Sequence, residues 1–165
     1  MAQNNLPKGR PLDELDVQIL QLLQRNARLT NREIALQLGL SVTPTYERIR
    51  RLERLGYIQG YVALLDPRRI GQALTVMATI RLKEHSREYL EQFVEQVQKL
   101  PEVMECYYVA GDFDYILKVA VSDMDAYQQF LVKKLAGLEN IGQVQSHFIM
   151  MDIKKSTAYP LDALL

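Results

Sequence analysis

Residues 30–58 read TNREIALQLGLSVTPTYERIRRLERLGYI, and the spacing of their capping, apolar and basic residues divides them into two short helices joined at Gly39-Leu40-Ser41. Thr30 followed by Glu33 is a capping box, in which each side chain satisfies an orphan backbone donor at the helix start. Ile34, Ala35 and Leu38 form the inward side of the first helix, and Gly39 suits the left-handed position that ends it. Ser41 is the expected cap of the second helix, with Leu40 placed to plug the angle between the two. Pro44 falls in the first turn, where backbone N–H groups have no intrahelical acceptor, so it does not break the helix. Thr45, Ile49 and Leu52 then point inward, Thr45 with its hydroxyl bonded back to the preceding turn.

What points inward fixes what points outward. Thr43, Tyr46, Glu47 and Arg50 occupy the outer side of the second helix, with Arg48, Arg51 and Arg54 along its flanks. A helix-turn-helix places such a helix in the DNA major groove, its first residues at base edges and its neighbours on the backbone. The expectation is therefore that Thr43, Tyr46 and Arg50 address base edges and that Arg48, Arg51 and Arg54 mainly meet phosphates.

Upstream, residues 1–11 are polar and read as a flexible arm in which Lys8 and Arg10 either touch DNA or are simply solvated. Asp13 is placed to cap a further helix whose stripe is Leu15, Ile19, Leu22 and Leu23. Downstream, Ile58 to Leu65 reads as two very short strands about Gly60, a small wing that Asp66-Pro67 stops. The expected winged helix-turn-helix domain thus spans 12–66, with a linker over 67–72.

From residue 73 the pattern changes. Residues 73–83, 103–109, 115–121 and 144–153 read as strands, and 87–100 and 125–135 as helices with Leu90, Phe93, Val94 and Val97, and Tyr127, Phe130 and Leu131, facing inward. The order βαββαβ predicts an α+β, ferredoxin-like domain over 73–157, an antiparallel sheet with both helices on one face, followed by a tail over 158–165. Several strands are apolar on both sides. One side would lie in water in a single chain, so a second copy is the economical cover. Two copies also present the short recognition helix twice, which suits a palindromic double-stranded DNA site.

Charge supports this division. The net charge is zero, yet residues 1–71 carry 11 Lys/Arg against 7 Asp/Glu and residues 72–165 carry 9 against 13. The first segment is the one suited to a polyanion. The one cysteine, Cys106, excludes an intrachain disulfide, and no apolar stretch approaches membrane-spanning length. His85, His147 and Cys106 lie in no metal-ligand spacing, no carboxylate pair is set for acid/base work, and there is no phosphate loop or nucleophile elbow. Neither an enzyme nor a cofactor is expected.

Gly111-Asp112-Phe113-Asp114 joins the second and third strands of this domain. It reads as a well-made hairpin turn, or as a turn at a subunit boundary that offers Asp112 or Asp114 to the amine of a small zwitterion and backbone donors to its carboxylate.

With the capped helix pair, the run from Arg48 to Ile58 and the Gly111–Tyr115 turn, the chain resembles the leucine-responsive regulatory protein family, the Lrp/AsnC or feast/famine regulators, over residues 12–158. The resemblance implies a cytoplasmic bacterial or archaeal transcription regulator whose C-terminal domain, of the RAM type, makes homodimers that assemble further to octamers. It also implies an amino-acid effector held between dimers near Gly111, Asp112 and Asp114. Tyr108 and Met124 are the candidate wall residues, and leucine or another apolar amino acid such as methionine is the candidate effector. An effector-independent architectural DNA binder and a ligand-sensing oligomer without DNA binding are the competing readings.

Overall fold

A computed structural model describes residues 12–164, so the N-terminal arm expected over 1–11 lies outside the described residues. The chain folds as two compact units, the first running to Leu64 and taking in the C-terminal segment from Lys154, the second spanning Leu65–Ile153.

The first unit is built on α1 (Glu14–Arg25), α2 (Asn31–Leu38) and α3 (Val42–Arg54). Ile19, Leu23, Ile34, Ile49 and Leu52 form its core, with Leu12, Leu20, Leu22, Leu29, Leu38 and Ile58 packed around them. The reading of α1 needs correction, because its buried residues are Asp16, Val17, Ile19 and Leu23, with Leu15 and Leu22 only half-buried. Thr30 and Glu33 form the expected capping box, and Gly39 ends α2 with φ +65°. Ser41 sits at the cap position of α3, yet its side chain makes no capping bond. Its carbonyl serves instead, accepting from the Thr45 hydroxyl at 2.9 Å.

No wing strands form among residues 58–65, which run as irregular chain. A two-stranded ribbon of so few residues has too little cross-strand packing to stand by itself. Tyr61 is nevertheless tied down, its hydroxyl donating to Glu53 Oε1 at 3.1 Å, and burial first, then Glu53, pushes its pKa up to about 12. The tail also has structure. Gln24 of α1 donates to the Tyr159 carbonyl at 2.8 Å and accepts from the Tyr159 amide at 2.9 Å, so residues 154–164 belong to this unit.

In the second unit β1 (Leu74–Leu82), β2 (Val103–Tyr108), β3 (Tyr115–Val121) and β4 (Ile141–Phe148) make one antiparallel sheet in the order β2-β3-β1-β4. With α4 (Arg87–Val97) and α5 (Met124–Phe130) this is the expected βαββαβ order. Leu131–Leu135 continues α5 as one wider, π-type turn. Val76, Ala78, Ile80, Leu117, Val119, Phe93, Val97, Tyr127 and Phe130 share the core. Val94, expected inward, is exposed.

β4 begins earlier and ends earlier than expected. In register, Phe148 lies opposite Val76, the Ile149 amide still reaches the Thr75 carbonyl, and β1 offers no strand beyond Leu74. Beyond that bond the chain leaves the sheet, with Met150 90% and Ile153 85% exposed.

Candidate nucleic-acid interface and effector turn

The inner side of α3 is set by Thr45, Ile49 and Leu52, all buried. Thr43, Tyr46, Glu47, Arg50 and Arg54 are exposed on the other side. Arg50, 64% exposed, makes a single-turn ion pair with Glu53 at 3.1 Å. An exposed pair of this kind is worth only about 0.3–0.5 kcal/mol, so the guanidinium exchanges readily for a stronger anion. A shallow depression lined by Glu47, Arg50, Arg51, Glu53 and Arg54 runs along this side.

Arg48 and Arg51 stand apart from Arg50 and Arg54 in having carboxylate partners outside α3. Both reach toward the start of α1 and keep only 26% and 22% of their side chains exposed, Arg51 still lining the depression. Arg48 Nη1 lies 2.6 Å from Asp13 Oδ2 and 2.8 Å from Asp16 Oδ1, and Arg51 bonds the other oxygen of Asp16. Asp16 is fully buried (0% exposed), where an unpaired carboxylate would be costly, so this environment demands cations. Burial works to raise the Asp13 carboxyl, but the hydrogen bond from Arg48, the Asp16 amide and the charge of Arg48 together hold it below the usual value. Reciprocally, the bond to Asp13 raises Arg48 further above its ordinary range, against burial. The carboxylates also cap α1, Asp13 accepting from the Asp16 amide and Asp16 from the Asp13 amide. The signal in the sequence was two matched spacings of opposite sign, Asp13/Asp16 and Arg48/Arg51, each three apart and so on one side of its helix.

In the second unit, the Gly111–Asp114 turn follows the last paired residues, Tyr108 and Tyr115, and closes with the Val109 amide donating to the Asp114 carbonyl at 2.9 Å. Gly111 has φ +143°, a conformation costly for a residue with a Cβ. Asp112 is exposed. Asp114 is not free: its Oδ2 accepts from the Leu82 amide at 2.7 Å, and its Oδ1 lies 2.8 Å from His85 Nε2. The Leu82 amide and His85, three residues past the end of β1, thus pin the turn to that strand end. The partner of His85 could not be found from sequence, because 29 residues separate the two.

Tyr108 is exposed beside the turn, its ring 5.2 Å from that of Tyr115. Met124 stands elsewhere. It follows the far end of β3, and six strand steps of about 3.3 Å put that end about 20 Å from the turn. One chain does not bring Met124 to Gly111, Asp112, Asp114 and Tyr108. Among the described residues no helix is long and apolar enough to cross a membrane, and no cluster of metal-ligating side chains occurs.

Comparison with known proteins agrees with this architecture. Residues 12–59 match the winged helix-turn-helix DNA-binding model and residues 75–159 the Lrp/AsnC ligand binding domain. The leucine-responsive regulatory protein of Escherichia coli K12 is 42% identical over 156 residues, covering 94% of this chain and 95% of its own, and that of Serratia marcescens is 44% identical over the same length. Among solved structures, a transcriptional regulator of Neisseria meningitidis in complex with L-Met superposes with TM-score 0.90 at 35% identity, covering 93% of this chain and 99% of its own. An AsnC family regulator of Agrobacterium tumefaciens gives 0.88 at 43%, covering 93% and 100%. These matches cover both units and nearly the whole length, and the chain belongs to the Lrp/AsnC family of DNA-binding, ligand-responsive transcription regulators.

Proposed function

We propose that the chain binds palindromic double-stranded DNA as an oligomer of dimers, with Thr43, Tyr46 and Arg50 at base edges and Arg50 and Arg54 as its phosphate-reaching cations, and that a small amino acid sets its activity. The observation that carries this reading is the two-sided character of α3: one side is buried against α1 and α2, and the other holds an exposed hydroxyl, an exposed phenol and two exposed guanidinium groups. Each phosphate neutralised releases counterions and adds about 0.9 to the slope of log affinity against log salt. Arg50→Ala and Arg54→Ala should each flatten that slope by about 0.9 per protomer. Unchanged slopes in both would remove α3 from the interface.

Leucine and methionine are the first effectors to test. Methionine enters because the Neisseria relative was solved with it, leucine because the curated relatives are leucine-responsive. The separation of Met124 from the turn fits a pocket completed by a second copy, and Asp112 is the exposed carboxylate there for an ammonium group. Titration calorimetry with both amino acids, run beside sedimentation, should show heat, a change of assembly, and loss of both in Asp112→Asn. A reading without effector draws on the engagement of both Asp114 oxygens by Leu82 and His85. Silence toward all common amino acids would make it the better account.

A further inference from the structure

Four arginines in one helix facing a polyanion ought to make a strong and indiscriminate binder, since phosphate attraction carries no sequence information. In helix α3 two of the four, Arg48 and Arg51, are already bonded to carboxylates at the start of α1. We propose that Asp13 and Asp16 sequester Arg48 and Arg51 from DNA phosphates, so that the helix meets DNA with Arg50 and Arg54 alone and gains selectivity by holding two cations back. This rests on the reading that the exposed side of α3 faces DNA.

The geometry supplies the argument. Arg48 bonds both oxygens of Asp13 and one of Asp16, while Arg51 takes the other oxygen of Asp16. Two carboxylates and two guanidinium groups therefore close into a neutral cluster, with Arg48 and Arg51 only 26% and 22% exposed and Asp16 wholly buried. A phosphate competing for either arginine must do so from solvent and leave the buried Asp16 short of a partner, a cost that an exposed arginine does not impose. Arg50, by contrast, gives up only an exposed neighbour on its own helix. The cluster also joins α1 to α3 at two places one helical turn apart, which fixes the rotation of α3 about its axis and hence which residues face out.

The sequestered pair predicts a gain of unspecific binding on release. The test uses the full chain and two duplexes of equal length, one selected by the native protein from a random pool and one scrambled. In Asp13→Asn/Asp16→Asn the side chains keep their size and Asn can still cap α1, but no carboxylate retains the guanidinium groups. Expected are a salt slope on the scrambled duplex steeper by up to about 1.8 per protomer, affinity for that duplex higher by roughly tenfold at low salt, and a lower ratio of selected to scrambled binding. A folded double variant with native slope and native scrambled affinity, changed only in melting temperature, would mean that the cluster is structural and would overturn the proposal.

Arg48→Gln and Arg51→Gln, tested singly, give a second route, because each leaves Asp16 one guanidinium. Both should keep the native salt slope. A slope flatter by about 0.9 in either would place that arginine on phosphate in the native complex and equally overturn the proposal. If the double variant does not fold, these two decide. Failure of the underlying reading looks different, since Arg50→Ala and Arg54→Ala would then leave the slope untouched.

Discussion

Asp16 is the residue on which the DNA-binding unit turns. It sits in the first turn of α1, where an acidic residue also suits the helix dipole, and its burial is tolerable only because α3 delivers two guanidinium groups. Its neighbour Asp13 gives the cluster a pH dependence with a definite sign. The folded chain holds the Asp13 carboxyl below its ordinary value of 3.8, so its contribution is in full above that value and is lost as pH falls through the lower, folded one. Acid unfolding followed by circular dichroism should show a stability difference between Asp13→Asn and the native chain that is constant above pH 3.8 and shrinks as pH falls below it. A constant difference across the range would remove Asp13 from the linkage. That α3 carries four arginines was legible in the sequence; that two of them are internal partners was not, because helical spacing reports a side and never what packs against it.

At the scale of elements, β1 and β4 carry the irregularity that shapes the sheet. Arg81 pairs with Gln143 and Leu82 with Ile141, which leaves Gly142 as an extra residue in β4. A Cβ there would lie 3.1 Å from the Arg81 carbonyl oxygen and 3.3 Å from both Leu82 C and Lys83 N, all backbone atoms that cannot turn aside. Gly142→Ala should therefore destabilise the second unit by about 1–3 kcal/mol, read as a lower urea midpoint with the slope unchanged. An unaltered midpoint would show that the strand end yields. Strand and helix order was legible from periodicity, whereas the ends were not. β4 stops at Phe148, opposite Val76 and two residues short of the Leu74 end of β1, although the apolar pattern continues to Ile153.

For the molecule as a whole, the feature that bears on assembly is the face of the sheet turned away from the core. Register places Met77 and Thr79 of β1, Ile116, Lys118 and Ala120 of β3, Tyr107 and Glu105 of β2, and Gln145 and His147 of β4 on the side away from Val76, Ala78, Leu117 and Val119. This face is mixed rather than uniformly apolar, with Lys118 bonded to Glu105 at 2.7 Å and the buried Thr79 hydroxyl without a partner. Ile116 lies at its middle. If two copies cover this face, Ile116→Glu buries an unpaired charge at a cost on the order of 3–5 kcal/mol. Sedimentation should then find folded single chains at concentrations where the native protein is dimeric; a persisting dimer would move the interface elsewhere.

The sequence by itself determined the two domains, the helix-turn-helix, the βαββαβ order and the family, because capping, glycine placement and apolar period are local properties that each short stretch carries complete. Tertiary structure alone decided which arginines bond to carboxylates outside α3, that His85 occupies Asp114, and that Met124 stands a strand's length from the turn it was grouped with. The first two outcomes depend on residues 29 or more positions apart meeting across packed elements, and the third on the length of β3, which keeps near neighbours in sequence apart. Burial then sets the electrostatics: a carboxylate enclosed at Asp16 claims cations that a helical projection assigns to solvent.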